Sequence, residues 1–219
     1  MIPPRTASYA MPTAASLPGE GPPWSLEPGR SALLVQHVQN YLLRSLQDQA
    51  PVAQLLANIG RITRSARSAG VPIVYVVRGQ GQRVATWPDA PGRTLSEPPV
   101  EAEARAVAHV VQPQTGDTVF TAKQYSAFAR TRLGARLKEL GRDQLIVVGA
   151  LARTDILLTA ADAWMEDLCP FVVADALIDR TRDDHDMAVR WLAGTCATVT
   201  ATDSVVTAFT AGTARSAAV

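Results

Sequence analysis

Short apolar runs alternate along this chain with longer stretches of helical periodicity. The first run, 32–35, has the length and character of a strand buried on both faces. Residues 50–69 then place Val52, Leu55, Leu56, Ile59 and Ile62 at helical spacing, closed by Gly70 and Pro72. Runs at 73–77, 118–121, 145–149, 171–174 and 197–200 predict five further strands, several rich in β-branched residues. Helices are predicted at 101–111, 127–140, 154–168 and 183–193. Residues 79–100 are rich in Gly and Pro and read as a long loop, a length that usually signals function.

Strands alternating with helices predict a mostly parallel sheet covered on both faces, and right-handed crossovers make it a doubly wound α/β fold. The chain divides into three parts. Residues 1–30 hold seven of the fifteen prolines and form an extended arm, with Trp24 as its candidate anchor. Residues 31–211 form the domain, and 212–219 are a tail of small residues expected to fray. In doubly wound folds, ligands bind beyond the carboxyl ends of the strands. That edge gathers His37 and Gln39, then Arg78, then Lys123 and Tyr125, then Leu151, Arg153 and Asp155.

Composition narrows the function. The 219 residues carry 21 basic against 20 acidic side chains, which argues against a nucleic-acid partner. Aromatics are only 5% of the chain, too few for a base-stacking platform. No run approaches the ~18 to 20 apolar residues of a membrane span, and no signal peptide is evident. Cys169 and Cys196 suit neither a disulfide framework nor a zinc site, so a reducing, cytoplasmic setting is expected. Nucleotide-binding glycine motifs, a Walker sequence and HExxH are all missing, so neither cofactor nor metal is expected. Lysine is scarce: Lys123 and Lys138 stand against nineteen arginines.

Taken singly, each candidate has a plain reading. His37 reads equally as a partnered histidine at the top of a sheet, and Asp155 as a first-turn residue favoured by the helix dipole. His185 and His109 read as structural and surface residues, Asp175 and Asp179 as turn or cap residues. Convergence favours chemistry: His37 supplies acid–base capacity, and Arg78 with Arg153 would form an anion site fitted to a carboxylate.

Four segments carry a resemblance: ALLVQHVQNYL (32–42), TAKQYSAF (121–128), GRDQLIVVGA (141–150) and CPFVVADALIDRTRDDH (169–185). With WSLEP (24–28), they resemble the isochorismatase family over roughly residues 8–206, and the phenazine- and siderophore-pathway isochorismatases in particular. The resemblance implies a six-stranded sheet, a dimer or higher homo-oligomer, and cofactor-independent hydrolysis of the vinyl ether of isochorismate or its amino analogue, releasing pyruvate. The pocket departs from that pattern. His37 stands in the place of the family's aspartate, which is thought to protonate the vinyl ether. Ala122 stands in the place of its lysine, with Lys123 one position later. Arg78 replaces a glutamine, and Ala152-Arg153 an Ala-His pair. Asp155 takes the nucleophile place of related cysteine hydrolases, which argues against an amidohydrolase. Tyr125 to Phe128 match the family.

The replacements suggest altered chemistry: Asp155 orienting His37 and raising its pKa, with Arg78, Arg153, Gln39, Tyr125, Lys123 and Leu151 around the substrate. Strand alternation aims Lys123 away from the pocket unless a bulge redirects it. The expected function is acid–base catalysis on a small anionic, cyclic or chorismate-derived intermediate of a biosynthetic pathway. The reaction would be enol-ether hydrolysis or a non-hydrolytic elimination, rearrangement or cyclisation. The alternative is an inactive relative serving as a ligand-binding or scaffold protein.

Overall fold

The computed structural model describes residues 8–19, 21–46, 48, 50–79, 83–85, 94–96 and 101–216. Most of the expected 79–100 loop, Pro3 and Pro4 of the arm, and residues 217–219 of the tail lie outside that set. The main sheet has six strands: β1 (Ser31–Gln36), β2 (Ile73–Arg78), β5 (Thr118–Ala122), β6 (Gln144–Ala150), β7 (Cys169–Ile178) and β8 (Thr198–Thr200). Their order is β5-β2-β1-β6-β7-β8, and every neighbouring pair is parallel. From β1 the chain winds outward to β2 and β5, then returns to β6 on the other side of β1. The topological switch therefore lies between β1 and β6, where ligand crevices open in such sheets.

Alternation along the strands divides the core in two. Leu33, Val35, Ile73, Tyr75, Ile146 and Val148 face α1 (Asn40–Leu46), α2 (Val52–Ser68) and α7 (Thr202–Ser216). Ala32, Leu34, Val74, Val76, Leu145 and Val147 face α4 (Leu133–Glu139), α5 (Leu157–Met165) and α6 (Arg182–Thr195). Helices thus cover both faces, as the alternating pattern required.

Several elements differ from expectation, each for a local reason. Within the long loop the chain makes a short antiparallel pair, β3 (Arg83–Ala85) with β4 (Thr94–Ser96). The 101–111 helix is interrupted: α3 covers only Ala102–Arg105, and a separate turn covers His109–Val111. Between them Val107 bridges to Gln39, and Ala108 N–H donates to the Val38 carbonyl, drawing the backbone to the end of β1. The helix expected from 127 starts at Leu133, because Arg130 takes a φ of 58° and Thr131 bonds back to the Ala127 carbonyl. The tail is helical through Ser216, and α1 and α7 had no distinct signal of their own in the apolar pattern.

The arm lies on the domain and includes one helical turn, Ala14–Ser16. Trp24 packs at a tilt on Phe171, 6.3 Å between ring centroids. The Ser25 carbonyl accepts from Gln144 at the amino end of β6, and Tyr9 reaches Asp179 beyond the carboxyl end of β7. The arm therefore crosses the domain from one sheet edge to the other.

Candidate active site

The switch point is built by close approach. Gly149 has φ 138°, and a Cβ there would lie 2.0 Å from the Gln36 carbonyl oxygen. Only glycine fits. On either side the chain leaves its strand through left-handed backbone: His37 at φ 55° and Leu151 at φ 65°. Leu151 is the less common case, since its side chain cannot bond locally to offset the strain. After it, Ala152–Ile156 forms a π-helical turn, in which Ile156 N–H reaches the Leu151 carbonyl at 3.2 Å. The helix expected over 154–168 thus opens as a π turn, and Asp155 sits inside that turn rather than at an α-helical N-terminus. π turns and strained residues cluster at functional sites.

This backbone brings three side chains from three strand ends together. His37 and Asp155 are both 0% exposed, with His37 Nδ1 2.9 Å from Asp155 Oδ1. The terminal Nη2 of Arg78 donates to the same carboxylate, at 2.9 Å to Oδ1 and 3.1 Å to Oδ2. Thr154 completes the shell, its hydroxyl donating to Oδ2 at 2.7 Å. Burial pushes the Asp155 carboxyl up, but the facing His37 and the Arg78 guanidinium outweigh it and hold it below the ordinary carboxylate range. Asp155 is therefore an anion locked between donors.

The remaining candidates are placed differently. Arg153 does not join Arg78 in a carboxylate clamp. Its guanidinium, 55% exposed, pairs with Asp184 on α6 at 2.7 Å, because the π turn directs it outward. Arg78 is buried against Asp155 instead of standing open to a ligand. Gln39 is buried and spends its amide on backbone: Oε1 accepts from Arg78 N–H at 2.7 Å, and Nε2 donates to the Arg78 and Arg105 carbonyls. These bonds brace the end of β2. Lys123 is exposed beside buried Ala122, as strand alternation expected. Tyr125 is half-buried, and its carbonyl accepts from Gln36. Leu151 is buried and shapes the turn.

Asp175 caps α7 through the Thr202 N–H and hydroxyl, and Asp179 caps the π turn at Arg153 N–H. His109 is exposed. Cys169 and Cys196 open β7 and precede β8, at the amino edge of the sheet. Sequence reasoning missed Thr154 and Gln36. The only signal for Gln36 was a polar residue ending an apolar run. Among the described residues, no group of three His, Cys, Asp or Glu side chains could hold a metal ion, and no helix is long and apolar enough to cross a membrane.

Comparison with known proteins places this architecture. The isochorismatase domain, as a family-wide sequence model, matches residues 31–204. The phenazine biosynthesis protein PhzD of Pseudomonas fluorescens is 38% identical over 207 residues, covering 93% of this chain and 98% of that protein. Enterobactin synthase component B of Escherichia coli is 34% identical over 209 residues, covering 94% of this chain and 72% of its own. A cysteine hydrolase from Pseudomonas syringae superposes with TM-score 0.74 at 19% identity, covering 86% of this chain and 96% of that one. An isochorismatase family protein from Burkholderia thailandensis superposes with TM-score 0.74 at 22% identity, over 85% and 98%. With its fold, switch point and nearly full-length relatives in agreement, the chain belongs to the isochorismatase family.

Proposed function

We propose that this protein catalyses acid–base chemistry on a small anionic, cyclic or chorismate-derived intermediate of a biosynthetic pathway, with His37 as the acid–base group. One observation carries this reading: His37 Nδ1 faces the buried, ionised Asp155 at 2.9 Å. A carboxylate there orients the ring and stabilises its charged form, which suits the imidazole to proton exchange with a substrate. Arg78 and Thr154 anchor the carboxylate, so the imidazole is oriented before any ligand arrives.

For an enol ether, the imidazolium protonates the terminal methylene carbon and water adds to the resulting oxocarbenium carbon. The imidazole recovers a proton from that water, and the hemiketal collapses to a carbonyl and an alcohol. The same proton exchange serves an elimination or a rearrangement. The strain at His37 and Leu151 supports a catalytic use, because such backbone persists only where its surroundings enforce it.

The test uses the purified full chain with isochorismate and its amino analogue, following pyruvate by a coupled assay. A panel of aromatic and cyclic carboxylates is screened in parallel by thermal shift and mass change. Turnover that disappears in His37→Gln supports the reading; full turnover in that variant overturns it. His37→Ala alone is a poorer test, since the side chain is wholly buried and its loss leaves a cavity beside a charge.

A second reading is a ligand-binding or scaffold relative without turnover. The sealing of His37, Asp155 and Arg78 from solvent favours it. Binding of a carboxylate without chemical change is its expected signature. We also propose a homodimer or higher homo-oligomer. Trp164, Met165 and Leu158 on α5 and Trp191 on α6 are 50%, 65%, 40% and 41% exposed, and their cover by another copy is testable by light scattering.

A further inference from the structure

The arm touches the carboxyl edge of the sheet through Tyr9. Its hydroxyl oxygen accepts from Asp179 N–H at 3.0 Å and lies 3.0 Å from His185 Nδ1. Its ring meets the imidazole edge-on, 5.6 Å between centroids at 79°. On the far side of the imidazole, His185 Nε2 lies 3.0 Å from the Ala174 carbonyl. A carbonyl only accepts, so Nε2 carries the proton and Nδ1 accepts from the Tyr9 hydroxyl. The Asp179 carbonyl, at 3.4 Å, is the more distant of the two acceptors available to that hydroxyl.

Asp179 carries the contact onward. Its Oδ2 accepts from Arg153 N–H at 2.7 Å and its Oδ1 from Arg180 N–H at 2.7 Å. Arg153 lies in the first turn of Ala152–Ile156, where backbone N–H groups lack helical partners. Two residues further on is Asp155. Leu151 ahead of the turn is strained, so the turn keeps its shape only while its surroundings enforce it. Asp179 is one such restraint, and Tyr9 with His185 is what holds the Asp179 backbone in place.

We propose that Tyr9 is a positioning residue, and that docking of the arm through Tyr9 and His185 sets the π turn that holds Asp155 against His37. The functional consequence rests on the acid–base reading above, while the structural relay stands apart from it. An undocked arm frees the Asp179 backbone, relaxes the Arg153 anchor and loosens the His37–Asp155 pair.

The chain has only three histidines, so imidazole nitrogen spectra of the ¹⁵N-labelled full-length protein are assignable by single His→Gln changes. Tyr9→Phe keeps the ring contact and deletes the hydroxyl. It is expected to shift the His185 signals, speed hydrogen exchange at Arg153 N–H and also shift the His37 signals. Asp179→Asn cuts the relay further on. An amide has one acceptor oxygen for two backbone donors, so this variant is expected to shift His37 and Arg153 with less change at His185. Thr198→Val is the control, because it releases the arm elsewhere, at the Thr198 hydroxyl to Pro22 carbonyl bond.

A His185 shift in Tyr9→Phe with His37 and Arg153 unchanged overturns the proposal. So does an equal His37 shift in Thr198→Val, which would mean general loosening of the arm. If a substrate is found, Tyr9→Phe should lower kcat more than it raises KM. Absence of turnover in the wild-type chain would end the acid–base reading and leave the spectra fully interpretable.

Discussion

Two histidines are wholly buried in this domain, and they sit in opposite electrostatic settings. His185 lies between a tyrosine hydroxyl and a backbone carbonyl, both neutral. Burial drives its pKa down to about 4, outweighing the Ala174 carbonyl and Asp186, which pull upward. His37 faces a carboxylate that a guanidinium and a hydroxyl also hold. The first arrangement suits a fixed neutral ring that ties two segments together. The second suits a ring whose charge is stabilised on demand. Burial alone therefore says little about a histidine; the charge of what it faces decides its use.

The comparison can be broken most forcefully at Asp155. Asp155→Ala leaves His37 and Arg78 buried without their anion, and should cost about 3–5 kcal/mol of stability in denaturant melts. Asp155→Asn keeps the volume and should cost less, while still abolishing activity. His37→Gln comes next: turnover is expected to fall about 10²–10⁴-fold, the usual worth of a general acid–base group, with a smaller loss of Tm. Steady-state kinetics on any substrate from the carboxylate panel checks this.

His185 predicts a pH slope instead. Its folded pKa lies below the ordinary histidine value, so between about pH 6.5 and about 4 the unfolded chain binds a proton that the folded one refuses. Stability should fall as pH drops through that window, by up to about 1.4 kcal/mol per pH unit, and level off below it. His185→Gln should remove that share of the slope in melts run from pH 7 to 4. The depressed carboxyl of Asp155 acts at lower pH: its contribution is present above the ordinary carboxylate range and lost as pH falls through its folded value. The smallest effect is expected at Arg153→Ala, whose exposed pair with Asp184 should be worth less than about 0.5 kcal/mol.

The sheet was legible because its central strands, β1 and β6 above all, are buried on both faces and read as nearly unbroken apolar runs. The boundaries that failed, at 101–111, 127–140 and 154–168, lie where one tertiary contact or a left-handed residue interrupts helical periodicity. The Val38 carbonyl draws 108 to β1, Arg130 turns left-handed, and Leu151 sets the π turn. The meeting of His37 with Asp155 followed from their places at neighbouring strand ends. The outward turn of Arg153 did not, because adjacent residues on a π turn diverge in ways that no spacing rule reports. The backbone partners of Gln39 were hidden for a similar reason: a polar residue at a strand end carries no mark of where its amide will bond. Tyr9 lies in a proline-rich arm with no periodicity, so its reach to Asp179 was invisible.

The left-handed turn at position 37 also filters what chemistry can be tried there. A φ of 55° admits glycine, tolerates Asn, Asp and His, and penalises β-branched side chains. The resemblance puts the family's aspartate at this place, where this chain carries histidine. Both belong to the small set that the backbone accepts, and both exchange protons. A replacement within that set leaves the loop as it is drawn, and the same geometry makes most other replacements unfavourable.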